Sequence, residues 1–286
     1  MWINYIMLFT LVGADFAVIG DWGRRGIHSQ RNVANVLNAQ NPDYVVSVGD
    51  NFYSSGIESA SDPRAHIWVE VYNSSVPWYV CLGNHDYVGN AAAQVDMSRI
   101  YKQWIMPKRF FNIKYKDTEL FFIDTTPWID ENYVKHHFGE QYGIGDGPWV
   151  DFEYQKTRIE EQKEWLTSAL EQSFASRKFI VGHHPLWTFG HHQQQTGDMY
   201  DFLKHTMINH GIDAYLCGHD HNMQHIISEE GIHEYVSGAG SSSYPIENVQ
   251  DESLIFSAGE RGFLMVRDSG EFEFINSSGE IIYTFK

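Results

Sequence analysis

Cysteine is nearly absent from this chain. Cys81 and Cys217 are its 2 cysteines in 286 residues, which excludes a disulfide-stapled scaffold. Each lies in an apolar, strand-like run, where a buried free thiol is the expected state. Positive charge is also scarce: 20 Lys and Arg against 37 Asp and Glu leave a formal net charge of −17. That balance argues against nucleic acid or an anionic membrane as the main partner. No apolar run approaches the ~20 residues of a membrane span, and there is no internal repeat or low-complexity tract. What is left, 20% charged and 43% hydrophobic, is an ordinary globular composition. Its length can bury a full core as one domain.

Histidine, by contrast, is plentiful. The 15 histidines would offset most of the negative charge at acidic pH, which fits an acidic compartment. Residues 1–12 are mostly apolar, and Val12-Gly13-Ala14 offers small residues where a signal peptidase would cut, although no Lys or Arg precedes them. The expectation is a signal peptide over 1–14 and one catalytic domain over 15–286, with the protein secreted or lysosomal/vacuolar. An early first strand is the alternative. Asn73-Ser74-Ser75 and Asn276-Ser277-Ser278 match the glycosylation acceptor pattern.

Five short blocks carry metal-ligand chemistry. They are Gly20-Asp21-Trp22-Gly23, Gly49-Asp50-Asn51-Phe52-Tyr53, Gly83-Asn84-His85-Asp86, Gly182-His183-His184-Pro185 and Gly218-His219-Asp220-His221. Each follows an apolar run of strand character, at 16–19, 44–48, 78–82, 179–181 and 214–217. A ligand just past such a run sits in the loop at the strand's carboxyl end, where sites assemble in open α/β sheets. Between the first two blocks, a helix from a Ser29 cap through Ala39 makes a βαβ unit. Helical spacing recurs over 159–170 and at Tyr200, Leu203 and Met207, closed by Gly211. After His221 come alternating runs at 234–236, 263–266, 271–275 and 281–285, which read as antiparallel strands. The fold expected is α/β: two mixed β-sheets packed as a sandwich with flanking helices, built from βαβ units. Residues 127–157 read as an irregular insertion, a lid or a loop over the second sheet.

Ligand hardness divides the candidates into two sets. Asp21, Asp50 and Tyr53 are hard oxygen donors and His221 adds an imidazole, a set suited to Fe(III). Asn84, His183 and His219 are neutral donors suited to Fe(II), Zn(II) or Mn(II), and Asp50 has two oxygens with which to bridge. Two such ions clamp a phosphate and supply hydroxide for in-line attack. His85 and His192 are the candidates for electrostatic and general-acid roles toward the leaving group.

On these residues the chain resembles the purple acid phosphatases, most closely the small tartrate-resistant animal type within the calcineurin-like metallophosphoesterases. The five blocks follow that family's order. Val76-Pro77-Trp78-Tyr79-Val80 and Ser237-Gly238-Ala239-Gly240 agree as well, and the likeness runs from about 17 to 263. It implies the metallophosphoesterase fold and hydrolysis of phosphate monoesters at acidic pH by a metal-held hydroxide. Asp21, Asp50, Tyr53 and His221 would hold Fe(III); Asp50, Asn84, His183 and His219 would hold the divalent ion. Asn84, His85 and His192 would bind substrate.

Departures from the family pattern stand beside this. His184 occupies a place where the animal enzymes usually carry Tyr, so either His183 or His184 can be argued as the ligand, with the Gly-His pairing selecting His183. The His191-His192 doublet leaves a similar choice of one position. Arg24-Arg25 reads as two solvated arginines, with a place near the substrate anion as the alternative, and the internal disulfide of the mammalian enzymes has no counterpart. The 127–157 insertion falls near the loop that represses those enzymes. Substrate phosphomonoesters and inorganic phosphate are the expected partners of a monomer. A phosphodiesterase or protein phosphatase on the same scaffold is one alternative. A catalytically silent scaffold is another, but it would be expected to have lost ligands, and all seven positions are filled.

Overall fold

Apolar runs without polar alternation need cover on both faces, and this chain meets that need with two packed sheets. The computed structural model describes residues 13–27, 29–73, 75–128, 152–193, 197–246 and 249–286. Residues 1–12 of the expected signal peptide, Ser74 and residues 129–151 of the insertion lie outside them. Strands are numbered in chain order. β1 (Phe16–Ile19), β2 (Tyr44–Ser47), β3 (Trp78–Val80) and β4 (Trp104–Ile105) run parallel. On the other side of β1, the strands β12 (Gly262–Val266), β13 (Phe272–Asn276) and β14 (Ile281–Phe285) add in antiparallel fashion.

The second sheet repeats this plan. β6 (Thr118–Phe122), β7 (Arg177–Val181), β8 (Ala214–Cys217) and β10 (His233–Ser237) form its parallel centre. β5 (Phe111–Tyr115), β9 (Met223–Ile227) and β11 (Leu254–Ala258) are its antiparallel margins. The orders are β14-β13-β12-β1-β2-β3-β4 and β11-β9-β10-β8-β7-β6-β5. The late antiparallel strands therefore divide between the sheets, because β1 and β10 each leave one edge to be paired.

Large side chains fill the space between the sheets. Phe16 stacks on Tyr44 at 4.9 Å and meets Phe179 edge-on at 5.7 Å. Tyr235 stacks on Phe272 at 4.4 Å. Full burial of one such ring contributes roughly 1.5–3 kcal/mol. Helices cover the outside. α1 (Gln30–Ala39) buries Val33, Ala34 and Leu37, and α2 (Pro63–Tyr72) buries Trp68, Val71 and Tyr72. α3 (Ala91–Met97) lies beyond β3 in sequence. Leu166 of α4 (Phe152–Glu171) and Leu203 and Met207 of α5 (Gly197–His210) share a second cluster with Ile180 and Cys217. Cys81 and Cys217 are both buried and free.

Three local readings need correction. Ser29 precedes α1 at φ 69° and its side chain makes no capping bond; side-chain caps occur instead at Asp62, which accepts from Arg64 N with Pro63 in the first turn of α2, and at Asn90, which accepts from Ala92 N at α3. α4 starts at Phe152, so the end of the 127–157 stretch is helical. Asn276 is buried, donates to Glu260, and accepts from the Ser278 and Glu280 backbone. The fold thus occupies that glycosylation pattern, whereas Asn73 is exposed at the end of α2. Gly211, at φ 59°, does close α5. Among the described residues no helix is long and apolar enough to cross a membrane.

Candidate metal centre

All five ligand blocks lie just past the ends of neighbouring strands: β1, β2 and β3 in one sheet, β7 and β8 in the other. Asp21, Asp50 and His219 take up positive φ, at 59°, 52° and 69°. A left-handed turn costs a non-glycine residue on the order of 1–3 kcal/mol and is found where the surrounding structure over-determines it. Here it turns the side chain sharply out of the strand direction. The preceding glycines allow close approach. A Cβ on Gly83 would lie 2.3 Å from Asp50 Oδ1, and one on Gly49, itself at φ 92°, would lie 2.6 Å from His183 Nδ1.

Buried anchors fix these loops. Trp22 is inserted among Phe52, Tyr72 and Trp78, with its Nε1 donating to Ser47 Oγ at 2.8 Å. Asn51 accepts from Ser47 and donates to Cys81 O, Asp86 and Gln94. Asp86 accepts from the backbone N–H of Asn51, Phe52 and Gly83, which joins the second and third blocks. Asp220 accepts from the Thr188 hydroxyl and from His191 N at 2.9 Å, tying the β8 loop to the turn that carries His192. Both aspartates therefore fasten loops, as expected of acids beside ligand positions.

The side chains converge in two groups. The Tyr53 hydroxyl lies 2.7 Å from Asp21 Oδ1, 2.8 Å from Asp50 Oδ2 and 2.9 Å from His221 Nε2. His183 Nε2 lies 3.0 Å from Asn84 Oδ1, 3.2 Å from His219 Nδ1 and 3.5 Å from Asp50 Oδ1. The Asp50 carboxylate thus faces both groups, one oxygen to each. Asp21, Asp50 and His183 offer ligand atoms within 4.8 Å of one another, as do His183, His184 and His219.

The members of each histidine doublet have different surroundings. His183 joins both trios; its Nδ1 faces the Val48 carbonyl at 2.8 Å, and its Nε2 is turned toward the Asn84 and Asp50 oxygens. His184 turns its Nδ1 to Thr125 Oγ1 at 2.7 Å and packs beside His219 at 4.5 Å. His192 lies over the His219 ring at 4.0 Å, while His191 is exposed against Tyr244. His85 packs on the Tyr53 ring at 4.7 Å with its Nε2 3.9 Å from Asp50 Oδ2.

Electrostatics show what the site demands. Burial, together with the Asp21 and Asp50 charges, pushes the Tyr53 phenol well above its usual range. Burial and neighbouring imidazoles hold His219 and His184 neutral, with values well below the ordinary one. Burial opposes ionisation of Asp21, but the His221 hydrogen bond and the His183 charge hold its carboxyl below the usual value. A phenolic oxygen packed against two carboxylates, beside neutral imidazoles presenting lone pairs, is a donor set in search of positive charge. It fits two cations, one in the oxygen-rich group and one in the Asn–His group.

Sequence reasoning left some neighbours unassigned. Thr125 Oγ1 accepts from the backbone of His183 and His184; its place in the polar run Asp124-Thr125-Thr126 after β6 was the available signal. Tyr244 stacks on His221 at 5.1 Å from a loop with no strand to announce it. Arg24, expected in solvent, is half-buried and lies over the Tyr53 ring.

Comparison with known proteins agrees with this geometry. The calcineurin-like phosphoesterase family pattern matches residues 14–223. Purple acid phosphatase 17 of Arabidopsis thaliana is 33% identical, over 94% of this chain and 82% of its own length. Human tartrate-resistant acid phosphatase type 5 is 31% identical, over 82% and 75% respectively. Among solved structures, GAP50, the anchor in the inner membrane complex of Plasmodium, matches with TM-score 0.70 at 22% identity, over 95% of this chain and 87% of that one. The yellow lupin purple acid phosphatase PPD1 matches with TM-score 0.67 at 14% identity, over 95% and 53%. These two structural likenesses establish the shared fold.

Proposed function

The chain belongs to the calcineurin-like phosphoesterases, and within them to the purple acid phosphatases; from that premise we propose a secreted or lysosomal/vacuolar enzyme that hydrolyses phosphate monoesters at acidic pH. Its centre holds Fe(III) together with Fe(II), Zn(II) or Mn(II). The observation that carries this reading is the convergence of the Tyr53 hydroxyl on Asp21, Asp50 and His221 within 2.9 Å. Three oxygen donors and one imidazole suit a small trivalent ion, and a tyrosinate suits few others. Asp50, Asn84, His183 and His219 hold the divalent ion. Together the two ions supply Lewis acidity to activate water and to neutralise the phosphate.

The chain's own groups do the rest. Asp50 spaces the two positions by offering one oxygen to each. The Val48 carbonyl and the glycine-led loops keep the donors in place before any ion arrives, so binding costs little reorganisation. Asn84 lies by His183, His85 by Tyr53 and His192 by His219, and these three orient the phosphate. His192 is the residue assigned to deliver a proton to the leaving oxygen. Asp220, bound to the turn before it, sets its position.

The tyrosine assignment has a direct optical test. Tyr53→Phe is expected to abolish the visible tyrosinate-to-iron absorption while some iron stays bound through Asp21, Asp50 and His221. An unchanged visible spectrum would remove Tyr53 from the metal site.

A further inference from the structure

The turn after β1 treats its two arginines differently. Arg25 is exposed, at φ 56°. Arg24 folds inward: its Cζ lies 3.9 Å from the centroid of the Tyr53 ring, and its Nε is buried with no hydrogen-bond partner among the described residues. No carboxylate of a described residue forms an ion pair with it. Its backbone is pinned at both ends, by Arg24 N donating to Trp22 O and Ile27 N donating to Arg24 O. Tyr53 N donates to Gly23 O at 3.0 Å, so the loop carrying the arginine and the loop carrying the tyrosine are bonded together.

A guanidinium ordinarily finds a carboxylate or water. In a chain with so many acids, placing one on an aromatic face instead, with one nitrogen dehydrated, indicates a role tied to that ring. Cation–π attraction holds the ring and lowers the energy of its electrons. The ring in question carries the hydroxyl that meets Asp21, Asp50 and His221.

We propose that Arg24 is a positioning residue for Tyr53: its guanidinium clamps the phenol plane and sets the energy at which the tyrosine gives electron density to the ion it holds. The inference rests on the proposed iron–tyrosinate reading and deepens it. Its direction follows from distance. The cation lies against the ring, which is the electron donor, whereas the ion that accepts lies beyond the hydroxyl. Arg24 therefore stabilises the donor more than the acceptor and moves the charge-transfer band to shorter wavelength.

The test is the visible spectrum of the full-length protein loaded with iron, in wild type, Arg24→Gln and Arg24→Lys. The expected result is a band displaced to longer wavelength in Arg24→Gln and brought back at least in part by Arg24→Lys, which restores the charge. A wild-type band that Arg24→Gln leaves in place overturns the role of Arg24 while the iron–tyrosinate reading stands. Equal displacement in both variants overturns it too, because charge would then be irrelevant. A wild type with bound iron and no visible band removes the premise, and the inference falls with it.

Discussion

His192 is held over His219 by a turn that Asp220 secures, half-buried beside the metal positions. A proton donor matters most when the departing alkoxide is a strong base. His192→Ala is accordingly expected to slow an alkyl phosphate by roughly 10²-fold, within the usual range for general acids, and to slow p-nitrophenyl phosphate much less. Equal losses on both substrates would take the proton-donor role away from His192. The seven candidate ligand positions were legible in the sequence because the chemistry is local: donors in short glycine-led blocks, just past apolar runs. Which partners each histidine of a doublet meets was not. That choice depends on Thr125, on Val48 and on Tyr244, all remote in sequence. Arg24 escaped for the same reason, since its ring partner lies in the next loop along the sheet.

The element that most clearly couples the fold to pH is β10. Its Glu234 is fully buried, accepting from Leu186 N at 2.7 Å and Trp187 N at 3.0 Å. Burial raises its carboxyl from an ordinary 4.5 to about 8. The folded state keeps this proton where the unfolded chain would lose it. The associated stability is therefore fully present below pH 4.5 and is lost as pH rises to about 8. His225 in β9 acts in the opposite sense: burial and His233 lower it to about 3, so its share of stability is lost as pH falls below 6.5. Urea unfolding of Glu234→Gln across the window from pH 4.5 to about 8 should show a flatter decline than wild type. Parallel curves would mean that Glu234 stays ionised in the fold. At this scale the parallel strands β1, β2, β7 and β8 were readable as apolar runs. Strands β5, β9 and β11 were not, because they pair at the sheet margins, where tertiary context selects the residues. The Ser29 cap failed: the residue takes up a left-handed backbone rather than the extended one of a capping residue, and its side chain makes no capping bond.

At the scale of the whole molecule, two seven-stranded sheets bring loops from five strands to one place. Three of the loops come from one sheet and two from the other, so the centre exists only when the sheets are packed together. The division of the late antiparallel strands between both sheets follows from the same closure, because each sheet needs its own outer margin. At acidic pH, histidines that take up protons would offset part of the net −17. The activity proposed for this assembly is that of a metal-dependent acid phosphatase. It is tested most directly by the rate of p-nitrophenyl phosphate hydrolysis against pH, for metal-replete wild type and Asn84→Ala side by side. The expected result is an optimum on the acid side of about pH 6 that disappears in Asn84→Ala. No hydrolysis by the metal-replete wild type, or an undiminished optimum in the variant, would contradict it.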